Sequence, residues 1–158
     1  MNVLPERGFP TEGTLIREIA IAARPEVVWS LLTEPELTRT WWGIAVSFDL
    51  RVGGVFRVEV TPRSIAAGAF VAIEPPRRLV YTWGWEVGGG VGSVLAPGST
   101  TVEIALEPDG AGTILRLEHR GLGSAEVVAG HGDGWTHYLG RLATRAAGDD
   151  PGPDPWAA

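Results

Sequence analysis

The stretch from residue 46 to residue 119 constrains the fold more than any other part of the chain, because its apolar residues recur at every second position. Phe56/Val58/Val60, Leu79/Tyr81/Trp83/Trp85, Val102/Ile104/Leu106 and Leu115/Leu117/His119 alternate with Arg, Glu, Thr or Gly, and residues two apart point to the same side of a β-strand. Turn formers punctuate the runs at Gly53-Gly54, Thr61-Pro62, Pro75-Pro76, Gly88 to Gly92 and Asp109-Gly110. The pattern predicts an antiparallel meander of about six strands with one dry face.

A dry face needs a cover, and residues 124–147 supply one: Val128, Trp135, Leu139, Leu142 and Ala146 share one side of a helix. Gly130, Gly132 and Gly134 each cost that helix roughly 1 kcal/mol relative to Ala, so bending or fraying is expected in its first half. Ahead of the meander, residues 15–22 read as extended, and Arg24-Pro25 opens a helix carrying Val27, Val28, Leu31 and Leu32. Thr33-Glu34-Pro35-Glu36 has the form of a capping box that starts a second short helix. A strand, two short helices, a meander and a long C-terminal helix are the order of an α+β helix-grip fold, a curved antiparallel sheet wrapped around the final helix. The interior of such a wrap is expected to exceed what side chains fill, leaving a pocket between sheet and helix.

The chain has 158 residues, enough for one domain that buries about two-thirds of its unfolded surface. Residues 14–147 read as that domain, 1–13 as an N-terminal extension, and 148–158, with three prolines and three aspartates, as a disordered tail whose Trp156 is either loose or docked in a surface groove. The net charge of −6, with all thirteen basic residues Arg, opposes binding to a phosphate backbone, and no nucleic-acid partner is expected. There is no cysteine, which removes disulfides, thiolate metal sites and cysteine nucleophiles. Residues 1–12 lack a long apolar run, so neither a signal peptide nor a membrane partner is expected, and the reading is cytoplasmic.

Thr33-Glu34-Pro35, Trp41-Trp42-Gly43, Asp49 to Gly54, Pro75 to Trp83, His119-Arg120-Gly121 and Gly134-Trp135, taken in order, resemble the homologues of the activator of heat-shock-protein-90 ATPase, within the SRPBCC or START-like superfamily. The resemblance covers residues 14–147. It implies a helix-grip fold and, for most bacterial members, binding of a small apolar ligand. The eukaryotic activator carries a further N-terminal domain that contacts the chaperone, and these 158 residues leave no room for it, so chaperone activation is not expected.

The candidate ligand-binding residues are aromatic and imidazole side chains. Tyr81, Trp83 and Trp85 share a strand face, while Trp41, Trp42 and Trp135 come from segments that should approach the same interior, as pocket walls or as core. His119 alternates with Leu115 and Leu117 on the dry face, and His131 lies one turn before Trp135; each is a satisfied core histidine or a polar anchor for a ligand. His131 and His137 are about 240° apart around an ideal helix, so they do not chelate as a pair, and neither a metal nor a cofactor is expected. No catalytic residue is assigned: Glu118 and His119 face opposite sides of their strand, and Ser93 and Ser124 lack a nucleophile context. Gly88 to Gly92 lacks the Lys-Ser/Thr of a phosphate loop, and Val87 to Gly98 reads as a flexible hairpin loop beside Trp85, a candidate gate for the pocket. Three readings follow: a binder of a small apolar or aromatic ligand, a cyclase, aromatase or hydrolase using the same cavity, and a stress-related interaction module or homodimer.

Overall fold

A computed structural model describes residues 13–90 and 95–158. β1 (Leu15–Ile21) leads into α1 (Pro25–Thr33) and the single turn of α2 (Pro35–Thr38). Then come β2 (Ala45–Phe48), β3 (Val55–Thr61), β4 (Ser64–Glu74), β5 (Arg78–Trp83), β6 (Trp85–Val87), β7 (Thr100–Asp109) and β8 (Gly112–Arg120), followed by α3 (Ala125–Ala146) and a 3-10 turn at Pro155–Ala157. The strands form one antiparallel sheet in the order β1-β8-β7-β5-β4-β3-β2, with β6 paired to β4. This is the α+β helix-grip architecture that the alternation predicted. The inward residues of β3, β5, β7 and β8 are almost all buried, and Val127, Trp135, Leu139 and Leu142 of α3 meet them.

Among its described residues, the span read as about six strands contains seven, because the run from Leu79 to Trp85 is two strands broken at Gly84. A Cβ on Gly84 would lie 1.7 Å from the Ala96 carbonyl oxygen, so only glycine admits that crossing chain. Beyond the break, Trp85 and Val87 pair with Ala66 and Ile65, while β5 pairs with Phe70 to Glu74. β4 serves both through register shifts at Ile65/Ala66 and Phe70/Ala72, and such bulges bend and twist a strand. The bend is what curls the sheet around α3.

Thr33 does not act as a capping box. It remains inside α1, where its hydroxyl donates to the Trp29 carbonyl at 2.8 Å, and Glu34 precedes α2 without a side-chain cap. The link is too short for Thr33 to leave one helix before Pro35 starts the next. Ser124 does cap α3, accepting from the Val127 amide at 3.2 Å, and the helix runs without interruption through all three glycines. Gly132 faces Arg17 of β1: a Cβ there would come within 2.4 Å of the guanidinium, which donates to Thr136 at 3.0 Å.

The tail is the largest departure from expectation. Residues 148–158 fold back along α3 because two partly buried side chains hold them. Arg141 donates to the carbonyls of Gly152 (2.8 Å), Pro151 (3.3 Å) and Trp41 (3.0 Å). Asp154 accepts from Tyr138 at 2.6 Å and from the Trp156 amide at 3.0 Å, and bonds His137 at 2.8 Å. Prolines that argued for disorder instead preset the turn that returns Trp156 to the helix. The N-terminal extension through residue 12 lies outside the described residues.

Candidate functional site

Between α3 and the near end of the sheet lies a half-open cleft of about 240 Å³. α3 contributes His131, Gly134, Trp135 and Tyr138 to its walls; the strands contribute Val60, Trp83 and Trp85; the connection before β2 contributes Trp42, and the tail Trp156. Trp42 is the centre of the aromatic arrangement. It lies parallel to Trp83 with centroids 5.9 Å apart and packs at an angle on Trp135 (5.5 Å) and Tyr138 (6.4 Å). Trp83 meets Trp85 edge to face at 5.1 Å. Gly88, Gly89 and Gly90 all take positive φ, and Gly89 lies so close over the Trp85 indole that a Cβ would be 2.6 Å from the ring. Residues 91–94 of the hairpin proposed as a gate lie outside the described residues.

The two interior histidines are fixed by indoles. Trp135 Nε1–H donates to His119 Nδ1 at 3.1 Å, and His119 Nε2 stands 2.8 Å from the Thr100 hydroxyl. That hydroxyl donates its only hydrogen to the Trp83 carbonyl at 2.8 Å, so His119 Nε2 must carry the proton that reaches Thr100. In the same way, Trp85 Nε1–H donates to His131 Nε2 at 3.0 Å, which leaves His131 Nδ1–H for the Val127 carbonyl at 2.9 Å. Burial, then the neighbouring His131 and Arg120, push His119 down to about 3. Burial also lowers His131, against the bond to Val127. Both rings are neutral, and every ring nitrogen has a partner.

Five of the eight sequence-derived candidates, Trp42, Trp83, Trp85, His131 and Trp135, line the cleft. The other three do not. Tyr81 is 2% exposed, stacked on Phe56 at 3.9 Å, and its phenol is pushed up by burial. His119 is 0% exposed, sealed behind Trp83 and Trp135. Trp41 donates from Nε1 to the Leu31 carbonyl at 2.9 Å and borders a second cavity of about 230 Å³ beneath the tail, with Arg39, Arg141 and Asp154. Strand alternation assigned Tyr81 and His119 to the inner face; it could not show that Phe48, Phe56 and Phe70 fill the far half of that face. Tyr138 and Trp156 were missed. Tyr138 was within reach, three residues beyond Trp135 and seven beyond His131 on one helix face. Trp156 carried no periodic signal. Among the described residues, no three His, Cys, Asp or Glu side chains gather to hold a metal, and no helix is long and apolar enough to cross a membrane.

The sequence model of the Activator of Hsp90 ATPase homolog 1-like proteins matches residues 22–147. The chain belongs to that family. The AHSA1-like protein RHE_CH02687 (1-152) from Rhizobium etli, solved in solution, is 46% identical over 92% of this chain and 88% of its own, with a TM-score of 0.72. The crystal structure of CalU16 from Micromonospora echinospora is 32% identical over 91% of this chain and 78% of its own, with a TM-score of 0.69. The Aha1 dimer from Colwellia psychrerythraea shares the fold at 17% identity, over 85% of this chain and 96% of its own, with a TM-score of 0.70. No curated protein matches the sequence. In this AHSA1-like chain the helix-grip framework is thus the family's, and the indole-walled cleft is what the framework holds here.

Proposed function

We propose that this AHSA1-like protein is a cytoplasmic receptor for a small, flat, apolar or aromatic molecule that enters between α3 and strands β3, β5 and β6. The observation that carries the reading is a cleft of about 240 Å³ walled by Trp42, Trp83, Trp85 and Trp135 and unfilled by side chains. Ligand sites are apolar concavities with few polar groups, commonly of 300 to 1,000 Å³, and a volume below that range suits one or two rings. Burial against indole faces supplies affinity, at about 25 cal/mol per Å² of apolar surface removed from water. The histidines act as braces that set the indole positions, since their nitrogens are already bonded.

Titration with a panel of one- and two-ring aromatics, followed by indole fluorescence and native mass spectrometry, tests this. Quenching together with a one-to-one mass increment is expected; no quenching and no added mass with any member would overturn the receptor role.

A second reading, self-association, is favoured by one patch. Leu50, Val52, Val55 and Val71 are exposed where the β2–β3 hairpin lies beside β4, joined by the bonds of Gly53 and Gly54 to Phe70, and β2 ends the sheet. An uncovered apolar edge of this kind favours pairing with a second copy. Light scattering that gives twice the 16.8 kDa chain mass, reverting to monomer in Val52→Lys, supports it; a monomer at high concentration excludes it.

A further inference from the structure

Three indole nitrogens around the interior are each spoken for. Trp41 donates to a backbone carbonyl, Trp85 to His131 and Trp135 to His119. Trp83 breaks the pattern: it is 3% exposed, it lines the cleft, and its Nε1–H is buried without a partner among the described residues. Buried donors in native proteins are nearly always paired, and leaving one unpaired costs on the scale of a full desolvation. The backbone of the same residue is satisfied, its carbonyl accepting from Thr100, so the deficit belongs to the indole alone. Thr61, Ser64 and His131 are among the few polar side chains on these walls, and no Asp, Glu, Lys or Arg lies among the described lining residues.

Resting on the receptor reading, we infer that Trp83 Nε1–H is the specificity determinant of the cleft, and that the ligand is a neutral planar ring system carrying a hydrogen-bond-accepting oxygen, a carbonyl or aryl ether, that takes this hydrogen. Neutrality follows from the walls. A carboxylate placed there would lose its hydration and meet no cation among the described lining residues, which favours its exclusion. A hydrocarbon of the same shape would gain the stacking and leave the donor unmet.

The test compares three probes of one shape: 2-acetylnaphthalene, 2-isopropenylnaphthalene and 2-naphthoate. Wild-type protein is expected to bind the ketone about tenfold more tightly than the alkene, which corresponds to one net hydrogen bond, and at least tenfold more tightly than the carboxylate. Trp83→Phe, which keeps a ring and removes the donor, is expected to bind ketone and alkene within about twofold of each other. In wild-type protein the ¹H–¹⁵N indole resonance of Trp83 should move downfield with the ketone and not with the alkene, a readout that stands even where the variant fails to fold. If ketone and alkene bind alike and that resonance does not distinguish them, the donor role falls while the receptor stands. If none of the three binds, both fall together.

Discussion

The two ends of the concave interior are lined by the same kind of side chain and differ in what fills the space between the rings. At the far end Phe48, Phe56, Phe70 and Tyr81 pack ring on ring, with Phe56 stacked on Tyr81 at 3.9 Å and edge-on to Phe70 at 5.8 Å. At the near end Trp42, Trp83, Trp85 and Trp135 stand 5.1 to 5.9 Å apart around a cleft. The far rings have no polar atom to place except the Tyr81 hydroxyl, so they can slide into contact. Each indole carries an N–H, and the bonds to His119 and His131 hold Trp135 and Trp85 where those nitrogens lie. Polar bracing keeps the near end from collapsing.

The strongest way to break the contrast is to truncate a ring at the packed end. Phe56→Ala should cost about 3 to 5 kcal/mol, read as a fall in the urea midpoint, because the surrounding rings cannot close over the loss. Trp156→Ala at the cleft rim, where the residue is 46% exposed, should change stability by no more than about 0.5 kcal/mol and raise the ligand off-rate instead.

Acid probes the bracing. The folded protein keeps His119 neutral down to about 3, whereas the unfolded chain takes up a proton near the ordinary 6.5. The unfolded state therefore binds more protons between those values, and stability present above pH 6.5 is lost as pH falls through that window. Between pH 7 and pH 5 the loss is about 2 kcal/mol. His119→Gln, which can still accept from Trp135 and donate to Thr100, should flatten that part of the stability profile by the same amount; an unchanged slope would show that the ring is not held neutral.

The fold was legible where one local rule governed, and less so where distant chains met. Alternation gave the strand faces, and the Trp135/Leu139/Leu142 spacing gave α3. The break at Gly84 was hidden because its cause is Ala96, twelve residues on and placed by the curl of the sheet. The docked tail was hidden because Asp154 is an ordinary aspartate until Tyr138 and His137 are brought beneath it. For the site, the indoles and one imidazole picked out by alternation and helix spacing do line the cleft, but which half of the dry face stays open depends on the phenylalanines of β2, β3 and β4, whose joint packing no single strand reveals.

The docking of the tail gives a smaller effect. Burial opposes ionisation of Asp154, but the bonds from Tyr138, His137 and the Trp156 amide outweigh it and hold the carboxyl below its usual value. The contribution is therefore present above the ordinary carboxylate range and is lost as pH falls through the lowered value. Asp154→Ala should cost about 1 to 2 kcal/mol and raise amide exchange across residues 149–157, leaving the sheet protected.

Opposite in sign is Gly134→Ala. A Cβ there meets nothing within 4 Å and projects from a cleft-lining position, so the helix should gain up to about 1 kcal/mol while ring-sized ligands bind more weakly. A variant that tightens binding would show that the cleft is not where they sit.

The bond from Trp85 to His131 also measures how far this scaffold stands from chemistry of its own. A single change, Trp85→Phe, retains a ring on the wall and takes away the hydrogen that occupies His131 Nε2, exposing a neutral imidazole lone pair to an apolar chamber. Such a nitrogen is an acceptor that the present wall does not offer, and one indole N–H is what keeps it occupied.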